Sequence, residues 1–171
     1  MTTPFKLVKT GQTHVAPERP QDAEAVERLI ARAFGPGRFV KTVERLREGA
    51  APILEVSQVA WLGGRPVGAV RLWPIRIGRA RALLLGPIAV DVTCRGSGIG
   101  ASMVEAACAT AEAAGWSLIL LVGDLPFFGP LGFVRAPAEV LLPGPVDRRR
   151  LLVRPLTAGA DAELAGAVAA G

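Results

Sequence analysis

Between Arg95 and Gly100 the chain reads Arg-Gly-Ser-Gly-Ile-Gly, placed after an apolar run that ends at Val90 and before a long helical pattern. Successive glycines let backbone N–H groups converge on one point. A helix start adds unsatisfied donors and the positive end of its dipole. The product is an anion cradle, suited above all to phosphate; a tight strand-to-helix turn without a ligand is the plain alternative. A Walker A loop ends in Gly-Lys-Ser/Thr, and Gly100-Ala101-Ser102 stands here instead, which excludes that motif. A dinucleotide fingerprint is satisfied in its letters by Gly96, Gly98 and Ala101, with Asp124 where a ribose-binding acid would sit. Two features oppose it. Asp91 to Arg95 separate the strand from the first glycine, and the 47 residues after Asp124 are too few for the rest of that fold.

The elements that must position this turn are legible as patterns. Val26, Leu29, Ile30, Ala33 and Phe34 fall on one helical face, stopped by Gly35-Pro36-Gly37. A second short helix is expected from Phe39, Val40, Val43 and Leu46, ending at Gly49. A first strand is expected within Phe5–Val15. Ile53–Leu62 and Pro66–Ile77 flank Gly63-Gly64-Arg65 as a hairpin. Gly78–Arg81 turns into Ala82–Val90, which makes an antiparallel meander. Pro74 suggests a bulge late in its second strand. After the glycine turn, Ile99, Met103, Ala106, Ala107, Thr110, Ala111 and Ala114 repeat with helical period, and Gly115 follows as a C-cap. Leu118–Val122 is apolar throughout, as interior parallel strands are. Ala82–Val122 therefore reads as one β-α-β unit with a right-handed crossover, set after an antiparallel meander. A short segment at Pro126–Pro130 and strands near Phe133–Leu142 and Leu151–Leu156 complete an α+β domain over residues 1–156. The Ala- and Gly-rich tail, 157–171, is expected as a frayed helix or a disordered end.

Composition narrows the function classes. The 171 residues hold 20 Lys and Arg against 15 Asp and Glu, a net charge of +5. The pI is near 10.2 and the mean hydropathy +0.37. The only basic run, Arg148-Arg149-Arg150, reads as a solvated edge before a strand, with no nucleic-acid signature beside it. Cys94 and Cys108 lack metal-ligand spacing and His14 is the single histidine, so no metal site is expected. No apolar stretch approaches the about 20 residues of a membrane span, and no secretory signal is visible, which gives a cytoplasmic expectation. Tyrosine is absent.

Gly86-Pro87-Ile88-Ala89-Val90, the turn Arg95–Gly100, Gly123-Asp124, and Phe127-Phe128-Gly129-Pro130-Leu131-Gly132-Phe133 together resemble the GNAT superfamily of acetyl-CoA-dependent N-acyltransferases. The chain is most similar to its small bacterial branch of predicted N-acetyltransferases. Arg95, Gly98 and Gly100 match the family's turn pattern, and the likeness extends over residues 20–155 in element order. The resemblance implies a mixed, mostly antiparallel sheet of six to seven strands. About four helices flank it, and a central parallel pair splays apart from a bulge at Gly86-Pro87. It implies that acetyl-CoA binds along Ile88, Ala89 and Val90, on the turn Arg95, Gly96, Ser97, Gly98, Ile99, Gly100 and Ala101, and against Phe127 and Phe128. It implies an enzyme: an acyltransferase moving acetyl to a primary amine, of a small molecule or a protein, by direct attack. A homodimer is allowed; nucleic-acid and membrane partners are not expected.

The catalytic groups do not follow the family's pattern. Its usual acid is a tyrosine four residues before the Gly-Phe pair, and here that position is Phe128. Its usual base region is Leu83-Leu84-Leu85. Asp124 is a candidate for binding or deprotonating an amine, with capping of the following segment as its ordinary role. Glu44 and Glu48 would face the acceptor if their helix forms the pocket wall, and otherwise lie on a solvated face. Cys94 near the helix start, His14 and Trp73 are weaker candidates. The alternative function is an acetyl-CoA- or CoA-binding module with little or no transferase activity. The basic balance mildly favours an anionic or neutral acceptor.

Overall fold

The computed structural model describes residues 13–35 and 42–171. Strand β1 is Thr13–Pro17, β2 Gln58–Leu62, β3 Arg65–Ile77, β4 Ala80–Val90, β5 Leu118–Val122, β6 Val134–Arg135, β7 Val140–Leu141, β8 Leu151–Pro155 and β9 Gly166–Ala170. The helices are α1 (Ala23–Phe34), α2 (Ile99–Ala113) and the single turn α3 (Leu125–Phe128). The main path of the sheet runs β1-β2-β3-β4-β5-β8-β6. Every neighbour along it is antiparallel except β4 and β5, which run parallel. This is the mixed, mostly antiparallel α+β sheet with a central parallel pair that the sequence implies, and α2 is the crossover between the two parallel strands.

Alternation along the strands seats the two long helices on opposite faces. Val59, Ala69 and Ala89 pack under Val26, Leu29 and Ile30 of α1. Their sequence neighbours Ala60 and Val70 pack with Met103, Val104, Ala107 and Ala111 of α2. Gly68 lets α2 come close: a Cβ there would lie 2.8 Å from Met103 Cε. A third cluster, with Ile75, Ile77, Leu118, Leu151 and Val153, fills the far end of the sheet.

Several expectations need correction. The tail is neither frayed helix nor disordered. β9 pairs antiparallel with Ile75–Ile77 of β3 and parallel with β7, burying Val168, and Leu164 just before it is buried too. The irregularity in β3 is not at Pro74, which stays in register with Leu83; it falls between Val70 and Leu72. Pro74 is tolerated because its side of β3 lies between the stretches held by β2 and β9, where only its carbonyl is used, by Gly171 N. Ile53–Val56 form a turn before β2, closed by Ser57 N and Oγ on the Ile53 carbonyl. Phe133–Leu142 is two short strands, broken where Val140 N turns back to Pro137 O. Thr42–Leu46 is a 3-10 helix; Phe39 and Val40 lie outside the described residues, as does the Phe5–Gln12 part of the first expected strand.

Candidate active site

The parallel pair is short. Leu83 faces Ile119 and Leu84 faces Leu120; beyond Leu84, among the described residues, no strand pairs β4 on its β5 side. The separation coincides with a bulge. Leu72 stands opposite Leu85 and Val70 opposite Ile88, so Arg71 alone faces both Gly86 and Pro87. The extra residue bends β4 away from β5, as the resemblance implies for this dipeptide. A cleft of about 700 Å³ opens between Leu85–Ile88 on one side and Leu121–Asp124 on the other. Phe127 and Phe128 form its floor, and Glu44, Arg45 and Arg47 of the 3-10 turn border it.

The glycine turn lies at the open end of β4. Val90 lies 3.8 Å from where a Cβ of Gly100 would be, and Phe127 lies 3.6 Å from it. Gly96 and Gly98 have φ of 77° and 82°, and Gly98 is the N-cap of α2. A side chain at either would be strained, and its Cβ would project into open space with no atom within 4 Å. The first turn of α2 supplies amides with no intrahelical acceptor, and Ser102 N, one turn in, donates to Gly98 O at 3.0 Å. The Ser97 hydroxyl donates to the Cys94 carbonyl and Arg95 Nε donates to Val90 O at 3.3 Å, which ties the turn to the strand end. Upstream, Asp91 caps the turn Val92–Cys94. The Thr93 hydroxyl and amide, with Arg65 behind them, hold its carboxyl below the ordinary range. Open space before convergent donors at a helix start fits a phosphate-bearing ligand.

The remaining candidates divide by place. Ile88 lines the cleft, whereas the Ala89 side chain is buried beneath α1. Phe128 is 8% exposed and meets Phe127 and Phe133 edge to face, with ring centroids 4.8 and 5.6 Å away. Gly123 is the space it needs, since a Cβ there would lie 2.8 Å from Phe128 Cδ2. Asp124 does not cap α3 with its side chain; its carboxylate accepts from Arg150 Nε at 3.0 Å on the outer rim. Glu44 borders the cleft and is ion-paired with Arg47. Cys94 and Cys108 are buried, and burial pushes the Cys108 thiol up, so both are packing residues. His14 is exposed on β1 opposite Trp61. Among the described residues no cluster of His, Cys, Asp and Glu could hold a metal. Sequence reasoning missed Arg47, Arg150 and the buried pair of Arg71 with Glu18. The partners of Arg150 and Arg71 come from distant segments; Arg47 pairs with the neighbouring Glu44, which alone could have drawn notice to it.

A sheet splayed at a bulge, with a glycine-rich helix start at its open end, fits a phosphate-bearing ligand. The sequence model described as Acetyltransferase (GNAT) domain matches residues 55–135. A GNAT family acetyltransferase from Brucella melitensis, solved in complex with acetyl-CoA, is 30% identical, with a TM-score of 0.61. That match covers 82% of this chain and 94% of that one. The Escherichia coli GNAT family N-acetyltransferase YhbS, solved with CoA, has a TM-score of 0.79 at 25% identity, covering 94% of this chain and 90% of that one. N-acetylglutamate synthase from Neisseria gonorrhoeae, at 20% identity, shares the fold, with a TM-score of 0.62 over 88% of this chain and 36% of that one. No curated protein matches the sequence. The chain belongs to the GNAT acetyltransferase family.

Proposed function

We propose that this chain transfers an acetyl group from acetyl-CoA to a primary amine by direct attack. The observation that carries this reading is the opening of β4 from β5 at Gly86-Pro87, in line with the amides at the start of α2. The amides of Gly96 to Ala101 would hold the pyrophosphate, with Arg95 adding positive charge. The unpaired edge of β4 at Ile88 and Val90 would hold the pantetheine arm as an added strand. Phe127 and Phe128 would shield it from water. Acetyl-CoA supplies an activated acyl group on a thiolate of pKa about 8–9.

The residues of this chain would orient the amine and move its protons. An alkylammonium of pKa about 10 must first become neutral. Glu44 at the inner cleft and Asp124 at its rim are the carboxylates placed to accept that proton, each beside a guanidinium, Arg47 and Arg150. The nitrogen–carbon bond forms as the carbon–sulfur bond breaks. The protonated amine gives up two protons in all, one ending on the thiol and one in solvent. With Phe128 at the family's acid position, water delivers the proton to sulfur.

A CoA-binding module without turnover is the second reading, favoured by that same apolar ring. Calorimetry with acetyl-CoA, CoA and NAD, joined to thiol release in a screen of amines, tests both readings. Acetyl-CoA binding with amine-dependent thiol release is expected. Binding without release for any amine would leave the module, and binding of NAD but not CoA would overturn the cofactor assignment. Gly98→Val should weaken acetyl-CoA at least tenfold, through backbone strain and a side chain in the ligand's path; unchanged affinity would place the pyrophosphate elsewhere.

A further inference from the structure

Beyond the cleft, Pro87 also borders a second, smaller cavity of about 280 Å³, whose wall includes Ile30, Arg71 and Trp73. The peptide joining Gly86 to Pro87 has no N–H, because proline carries none, so the carbonyl is its one polar group. That carbonyl accepts the indole N–H of Trp73 at 2.7 Å. Trp73 stands opposite Leu84, where the pairing of β4 with β5 ends, and reaches diagonally to the bulge. The reach has a fixed base. Arg71, two residues back on the same face of β3, is buried and donates to both oxygens of the buried Glu18, at 3.0 and 2.7 Å. The Arg47 guanidinium lies 5.8 Å from the centre of the Trp73 ring, and its Nη2 lies 2.9 Å from where a Cβ of Gly86 would be. Neither Gly86 nor Pro87 has a one-to-one partner on β3 or β5, so a side chain holds the bend of β4 where the ladder lapses.

Resting on the proposed acetyl transfer, we infer that Trp73 is a positioning residue for that reaction, acting through the Gly86 carbonyl. Trp73 is not among the residues bordering the cleft, so it works through the strand and not by contact with the ligand. An arm that runs from the start of α2 along Val90 and Ile88 brings its thioester end to the bulge. The orientation of the Gly86-Pro87 peptide then sets where the acyl carbon lies against the amine. Attack needs the reacting atoms about 3–3.5 Å apart, and a misplacement of about 1 Å costs roughly 10²-fold in rate. The pyrophosphate is held at the other end of the arm, so loosening the bulge changes the alignment of the thioester more than the affinity for acetyl-CoA.

Two substitutions separate the hydrogen bond from the bulk of the ring. Trp73→Phe keeps a six-membered ring and removes the donor. Trp73→His gives up the six-membered ring and keeps an N–H at the same place on a five-membered one, in the tautomer that the carbonyl selects. Each is assayed by thiol release at saturating acetyl-CoA, with the amine that wild type uses fastest, beside calorimetry with acetyl-CoA and a thermal melt. Trp73→Phe should lower kcat about tenfold or more while acetyl-CoA affinity stays within about twofold. Trp73→His should keep kcat within about threefold of wild type, even at a lower melting temperature. Any result in which Trp73→His does not exceed Trp73→Phe in kcat overturns the inference alone and leaves the indole a packing residue. A fall in acetyl-CoA affinity as large as the fall in kcat also overturns it. Wild type that binds acetyl-CoA and releases thiol with no amine overturns it together with amine transfer.

Discussion

A phenylalanine at position 128 places a ring, and no proton, on the floor of the cleft. The residue is clamped between Phe127 and Phe133 and seated over Gly123, so its side chain has one place to be. Under the proposed reaction, departure of the thiolate then relies on water. Phe128→Tyr adds a phenol at the position the family's acid occupies. Where thiolate departure limits turnover, it should raise kcat by at most roughly 10²–10⁴, the span of positioned acid catalysis, with acetyl-CoA affinity unchanged in calorimetry. No gain, alongside wild-type turnover within about 1–10³ s⁻¹, would show that protonation is not limiting. A chain that turns over neither way is a binding module.

At the scale of elements, the parts nearest the cleft were the most legible. α2, β4 and β5 announce themselves by helical period, by a continuous apolar run, and by glycines that punctuate both. The bulge at Gly86-Pro87 was legible through the family resemblance, and the physical reason it sits there is that neither residue suits a regular interior strand. β9 was not readable: Val168 is its single large apolar residue in a run of Gly and Ala, and its strand conformation comes from the waiting edge of β3. Ile53–Val56 looked like strand by composition, but Ser57 bonds locally to Ile53 and ends the pattern. The paired charges of the site were hidden for a simpler reason: Arg71 and Glu18 lie 53 residues apart, and nothing local links them. The tail's dependence on β3 gives a direct test. Truncation after Glu163 removes Leu164 and Val168, whose burial is worth about 3–6 kcal/mol together. A loss of that order in urea unfolding is expected, with aggregation through the bared edge. A truncated chain of full stability would mean that β9 docks without holding.

For the molecule as a whole, acid stability connects to the short turn just upstream of the glycine turn. Asp91 titrates below its ordinary value, chiefly through the Thr93 hydroxyl bond, so its ionised form favours the folded state. The sign follows: this contribution is present above pH about 4 and is lost as pH falls through the lowered folded value. Asp91→Ala should therefore cost about 0.5–2 kcal/mol at pH 7, the usual worth of a cap, and the gap to wild type should narrow as pH falls below about 4. Urea midpoints at several pH values read this directly. A gap independent of pH would assign the loss to packing.

The indole at the bulge also makes the protein its own optical probe. With no tyrosine in the chain, ultraviolet emission belongs to three tryptophans. Trp61 and Trp116 lie near the guanidiniums of Arg19 and Arg81, at 5.9 and 4.7 Å, and neither is among the residues bordering the cleft or the smaller cavity. Trp73 borders the smaller cavity and holds the strand where it bends. A colour shift on adding a ligand at the bulge is thus expected from one ring, and such occupancy can be followed in unlabelled protein by light alone.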